Sequence, residues 1–385
     1  MAASCFRSPP FVLRQDGDAH RVTTLVSLFA PLSLEDKHLT TLRYALPALA
    51  LAVLGLAVAA CKGPGSSVAP GGFPTCNPCG VPHAQYVVVG DTGSPNSIIT
   101  FNLGESKIPN SGDLAPTYDN HSSTLDYPYF IFNDFNSNIW AANYLGAKVT
   151  WYAVSATGGS PTSHTISGSN TELGLPVGIY ISQNGTIYVA DQDSGVGPAI
   201  LIFAPGSSGN VAPSAWLAGA TTTINDPQGL ILDSQGHIWL VDDNIPGIDE
   251  FNGVALGSGA NDVAPIGTIT SGSLPAPAEI TIDSQKHIWV TDFDTSGVMD
   301  FNPTPGVQTP LCDIVGSNTG LVGGQISVAV DNGGYVYAVQ NGNARIGIWL
   351  AGQCGNVAPQ YTISGASTDL QVPSAVLVYS TGNDY

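Results

Sequence analysis

Pro176 to Gln192 reads PVGIYISQNGTIYVADQ. Apolar and polar residues alternate along GIYI and again along TIYVAD, and the polar SQNG stands between them. Period-two alternation gives a strand two different faces, and a short polar Gly-containing break turns the chain back, so the stretch predicts a hairpin. Two further copies follow: PQGLILDSQGHIWLVDD from Pro227 to Asp243 and PAEITIDSQKHIWVTDF from Pro277 to Phe293.

Working outward, the second strand of this unit recurs at Val87 (VVVGD), Ile139 (IWAAN), Ile187, Ile238, Ile288 and Val336 (VYAVQ), at spacings of 52, 48, 51, 50 and 48 residues. A period of about 40–50 residues is that of one four-stranded propeller blade. A second landmark gives the same count: an X-Pro pair at Pro116, Pro161, Pro213, Pro265, Pro310 and Pro359. Proline cannot donate to a ladder, so it marks the approach to an outer strand. The C-terminal PSAVLVYSTGNDY matches the first strand and turn of a unit and then stops, whereas AQYVVVGDTG at the other end starts on the second strand. The two ends complete one blade, which leaves no sheet edge open. The expectation is an all-β, six-bladed β-propeller over residues 85–385, closed by N- and C-terminal strands; seven blades would need one more repeat.

The P-x-G, strand, turn, I-Y-V-A-D pattern resembles NHL-type repeats over roughly residues 86–385, which implies a propeller fold. The Asn-x-Arg that usually follows the Asp in those repeats is missing, and Arg345 is the only Arg of the domain.

Ahead of the repeats, Tyr44 to Ala60 reads YALPALALAVLGLAVAA after Arg43. It is short for a membrane span, which needs about 20 residues, and reads as a secretory signal. Val58-Ala59-Ala60-Cys61 resembles a bacterial lipobox, which implies cleavage before Cys61 and diacylation of its thiol. Residues 1–60 are then an N-terminal extension and signal peptide. Residues 61–84, rich in Gly, Pro and Ser, are a tether from a lipidated Cys61. The expected location is the bacterial cell envelope, on a membrane facing the periplasm or exterior.

Of the basic residues, five precede Cys61 and five follow it, against four and 25 acidic ones, so the exported part is strongly acidic. Such a surface repels phosphate backbones and excludes nucleic-acid binding. The acids are scattered, as on a solvated surface; the alternative is attraction of cationic partners. Export favours disulfides. Cys76 with Cys79 and Cys312 with Cys354 is one pairing, and stapling of the tether to the ring through both pairs is another.

Asp91, Asp191, Asp242 and Asp292 end the second strand, with Asn143 and Gln340 in the remaining blades. They read either as a cation-binding ring or, as expected of a repeated residue, as hydrogen-bond partners of their own turns. The column Trp140, Tyr188, Trp239, Trp289 and Tyr337 suggests a carbohydrate platform or, given its regular placement, packing between blades. His237 and His287 occupy matching turn positions with no Cys or acid at ligand spacing, which argues against a metal there. Departures from the repeat are better candidates. Glu279 stands where other blades have Gly178 and Gly229, and Asp249, Glu250 and Asp300 stand where blade 3 has Ile202 and Phe203. Six-bladed lactonases of the gluconolactonase and regucalcin type hold a divalent metal over the channel with Glu, Asn and Asp. Glu279 with Asn143 and Asp242 resembles that set, with Glu279 in the catalytic place.

No nucleophile elbow, phosphate loop or paired-His motif is present. The leading expectation is a monomeric, non-catalytic module without a cofactor, anchored to a membrane and presenting loops to a protein or glycan. Its alternatives are a hydrolase or lyase using a divalent cation such as calcium, and a structural envelope protein.

Overall fold

The computed structural model describes residues 83–380, apart from 105–108, 135, 137, 160–163, 322–323 and 325. Cys61, Cys76, Cys79, the signal segment and nearly all of the tether lie outside the described residues.

Six sheets, each built on four antiparallel strands, make six blades. The first strands of blades 2 to 6 are Pro128–Asn133, Pro176–Ile181, Pro227–Leu232, Pro277–Ile282 and Ile326–Val330, and that of blade 1 is Pro373–Tyr379. Each packs against the first strands of both neighbouring blades, so the six form a closed ring around a central cavity. The second strands are Tyr86–Asp91, Asn138–Asn143, Ile187–Ser194, Ile238–Asp242, Ile288–Asp292 and Val336–Gln340. A third and a short outer strand complete each blade, and every described X-Pro landmark falls two residues before an outer strand, as Pro213 does before Ala215–Leu217.

Blade 1 is shared between the chain ends. Val87 pairs with Val378 and Val88 with Leu377, antiparallel. Tyr86 and Tyr379 stack at the same seam, with ring centroids 4.9 Å apart.

The second strands are apolar on both faces because each face meets another blade. In Tyr86–Asp91, Val87 and Val89 pack with Tyr337 and Val339 of blade 6, while Val88 packs with Phe130 and Ile139 of blade 2. The core is therefore a set of seams between blades. The third strands close it with Phe101, Phe203, Phe251 and Phe301, all fully buried, each contributing about 2–3 kcal/mol of burial.

Outer edges are covered by a recurring device. A loop glycine of each blade reaches the outer strand of the preceding one. Gly112 meets Ile363, Gly158 meets Asn120 and Gly209 meets Ile166 as parallel bridges. Gly259 pairs with Ala215 and Gly306 with Ile269, and the Gly355 N–H donates to Asp313 O. All six glycines have positive φ, from 58° to 132°, a region that a Cβ makes costly. In four blades an Asx side chain one or three residues after this glycine accepts a main-chain N–H from the neighbouring blade. The acceptors are Asp113 from Ser367, Asn210 from Asn170, Asp262 from Thr221 and Asn356 from Asn318, at 2.6–2.7 Å. Cys312, in the outer strand of blade 5, is disulfide-bonded to Cys354 in the loop of blade 6.

Candidate functional site: the central cavity and its rim

The acids that end the second strands organise loops. Asp191 accepts from the Gly174, Leu175 and Asp193 N–H groups at 3.0–3.1 Å. Asp242 does the same for Asn225, Asp226 and Asn244, and Asp292 for Ala276 and Thr295. Asn143 Oδ1 accepts from Asp126 N–H. The carboxylate thus joins its own turn to the loop that leads into its blade's first strand. Burial raises the pKa of Asp191, and the three N–H donors oppose that shift.

A second set of acids, not singled out from the sequence, holds the aromatic column. Asp134, Asp233, Asp283 and Asp331 follow the first strand. The Trp140, Trp239 and Trp289 indoles donate to the first three at 2.8, 3.4 and 3.0 Å, and the Tyr337 hydroxyl to Asp331 at 2.9 Å. Each of these four aromatics is at most 8% exposed, so their place is between blades. The signal was present as Asp six residues before the aromatic, in DSQGHIW and DSQKHIW.

Glu279 is in a first strand, at the position of Gly178 and Gly229. A Cβ on Gly178 would lie 2.2 Å from Gln228 O of the next blade; there the backbones touch. At Glu279 the gap is bridged instead. Its Oε2 accepts the Val328 N–H at 3.0 Å, and its own N–H donates to Thr291 Oγ1 at 2.9 Å. Ser327 also bonds its carboxylate, and burial pushes the group up to about 8 against these bonds. Ser327 Oγ in turn accepts the Val376 N–H at 2.7 Å, and the Ser374 hydroxyl donates to Pro128 O at 2.8 Å. A polar seam runs from blade 5 through 6 and 1 to 2. Asn143 in blade 2, Asp242 in blade 4 and Glu279 in blade 5 are each tied within their own blade or to the next one by these hydrogen bonds.

The cavity inside the ring has a volume of about 1150 Å³. Its walls are the later residues of the first strands, and its rim is the first turns, including Gln183, Asn184, Asp233, Asp283 and Lys286. The wall is not uniform. Phe132, Tyr180 and Tyr188 are half-buried in it, with centroids 4.7 Å apart for Phe132–Tyr180 and 6.5 Å for Tyr180–Tyr188. Burial raises the Tyr180 hydroxyl's pKa, with Tyr188 and Asp233 adding to the shift. The aromatic arc thus continues up to the acidic rim. Tyr188 belongs to the column read as packing, yet it faces the cavity.

Contrary to expectation, acids do stand beside both turn histidines. His237 Nδ1 is 2.7 Å from Glu250 Oε1 and 3.5 Å from Asp233 Oδ2. His287 Nδ1 is 3.3 Å from Asp300 Oδ2 and 3.9 Å from Asp283 Oδ2. Asp233 lies four residues before His237, at a spacing the sequence shows, whereas Glu250 reaches His237 only through strand pairing. The sequence reading is one residue out of register: Trp239 pairs with Glu250 and Tyr188 with Ile202, so Asp249 and Glu250 match Leu201 and Ile202. Asp300, opposite Trp289, matches Ile202 as well.

No protein-family model matches the chain, and no curated protein matches it by sequence. Solved structures do. A chain in the crystal structure of a nidogen/laminin complex is similar with a TM-score of 0.54 and 14% identity, over 76% of this chain and 97% of that one. A protein of unknown function from Bacteroides caccae gives 0.50 and 10%, over 76% and 98%. A putative 6-phosphogluconolactonase from Bacteroides fragilis gives 0.46 and 17%, over 77% and 85%. With the first two the chain shares the fold, and function has to be argued from the site.

Proposed function

We propose that this protein is an envelope lipoprotein, monomeric and anchored through Cys61, whose propeller binds a glycan at the rim of the central cavity. The observation that carries the reading is the arc of Phe132, Tyr180 and Tyr188 in the cavity wall, beside the amides of Gln183 and Asn184. Aromatic faces suit the C–H faces of sugar rings, and planar amides and carboxylates at the edge suit their hydroxyls. The acids of the second strands are occupied by main-chain N–H groups, which supports binding without chemistry.

The test is a glycan array followed by calorimetry on the best ligand. Tyr180→Ala and Tyr188→Ala are each expected to weaken binding at least tenfold, that is by about 1.4 kcal/mol or more. Retention of no glycan, or equal binding by both variants, overturns the reading; a protein captured in its place would do so in favour of a protein partner. Anchoring is tested separately: Cys61→Ser should release the protein from membranes.

A further inference from the structure

The first turn of blade 4 brings an imidazole and two carboxylates together. Asp233 Oδ1 is held by the N–H groups of Gln235 and His237 at 2.8 and 2.9 Å, and the Trp239 indole reaches Oδ2. Glu250 comes from the third strand, opposite Trp239. One ligand atom from each of Asp233, His237 and Glu250 falls within 4.8 Å of the others. Ligand atoms about 2.1 Å from a tetrahedral metal stand roughly 3.4 Å apart; His237 Nδ1 is already 3.5 Å from Asp233 Oδ2, and from 2.7 Å the Glu250 carboxylate would draw back by less than 1 Å to admit the ion. His237 Nδ1 is buried and makes no hydrogen bond, although Glu250 Oε1 is 2.7 Å away. The contact therefore lacks the alignment of a hydrogen bond, and the nitrogen is left without a partner of that kind.

The repeat does not require these groups. Blade 3 makes the same turn with Ser182 and Thr186, and has Ile202 in the place of Glu250. Blade 5 has His287, Asp283 and the shorter Asp300, and its His–carboxylate distances widen to 3.9 and 3.3 Å.

We propose that Asp233, His237 and Glu250 bind a divalent transition-metal cation of the zinc type. Imidazole with carboxylates suits such ions, whereas calcium takes oxygen ligands alone. Two carboxylates balance the charge of the dication. The Trp239 indole and the two main-chain N–H groups orient Asp233 as an outer shell does in metal sites. Asp233 lies on the cavity rim, whereas Glu250 comes from the third strand behind it. The site stands independently of the glycan reading.

The experiment is equilibrium dialysis of the metal-stripped protein against zinc chloride, with zinc counted by mass spectrometry and folding followed by circular dichroism. One zinc per chain is expected, with at least tenfold weaker binding by Glu250→Gln and by His237→Gln, and unchanged binding by Asp300→Asn. Should Glu250→Gln fail to fold, His237→Gln decides, because its side chain is partly exposed. The assignment is overturned by substoichiometric zinc in the parent protein, by unchanged affinity in folded His237→Gln, or by an equal loss in Asp300→Asn.

Discussion

Asp91 Oδ1 accepts the Val372 N–H at 3.0 Å, a bond that spans 281 residues of sequence. The same carboxylate takes the N–H groups of Gln371 and Gly93. In blades 3 to 5 the equivalent Asp joins segments about 16 residues apart; in blade 1 it helps to close the ring. Asp91→Ala leaves three N–H groups without their acceptor in a site where Asp91 is 1% exposed, a loss of about 2–4 kcal/mol. Hydrogen exchange should show protection lost first in 371–379, whereas Asp191→Ala should expose its own loop and leave the terminal seam intact.

Close approach of backbones predicts a different asymmetry. Gly178→Ala should destabilise by roughly 1–3 kcal/mol, since the added methyl meets Gln228 O. The equivalent residue of blade 1 is already Ala375, opposite Gly90. A Cβ on Gly90 would fall 3.2 Å from Pro128 O, against 2.2 Å for Gly178 and Gln228 O, so Gly90→Ala should cost less than Gly178→Ala. Denaturant midpoints at constant slope would check both.

Glu279 makes stability depend on pH. Its folded pKa is raised from 4.5 to about 8 by burial. Below pH 4.5 the carboxyl is protonated in both states and contributes nothing. Above it the unfolded chain releases a proton that the folded one keeps, so stability falls until the pH passes 8. Glu279→Gln keeps an acceptor for Val328 N–H and has no proton to lose. The variant should match the parent at pH 4 and exceed it at pH 8.5 by on the order of a few kcal/mol. Thermal melts across that range test it; parallel curves would refute the shift.

The disulfide between Cys312 and Cys354 closes a loop with a sequence separation of 42. In the chain-entropy account such a crosslink contributes about 2–4 kcal/mol. Cys312→Ser with Cys354→Ser should lower the denaturation midpoint accordingly, with the loss of protection centred on the outer strand of blade 5.

The blade count and the closure were legible because each rests on a local pattern repeated many times: IYVAD every fifty residues, and one first strand displaced to the far end. The position of Glu279 beside the cavity was legible as a departure from that pattern, but the direction of its carboxylate was not, since Ser327 and Val328 come from another repeat. The Asp-to-Trp bonds are legible in the sequence as a six-residue spacing, in DSQGHIW and DSQKHIW. Gly-Asx-x-Ala-Pro, seen at Gly112, Gly209 and Gly355, was read only for its proline; its glycine and Asx act on a neighbouring blade, which spacing within one repeat cannot reveal. At His237 the Asp233 partner was legible four residues upstream, whereas Glu250 needed the exact hairpin register.

Sharing blade 1 between both ends of the chain has a consequence for how the molecule comes apart. A linear stack of repeats can fray one unit at a time from its tips, but here the two tips hold each other. Removing the last thirteen residues would strip one sheet of its channel strand and leave both adjoining seams exposed, so a small loss of chain at one end is felt as the collapse of the whole circle.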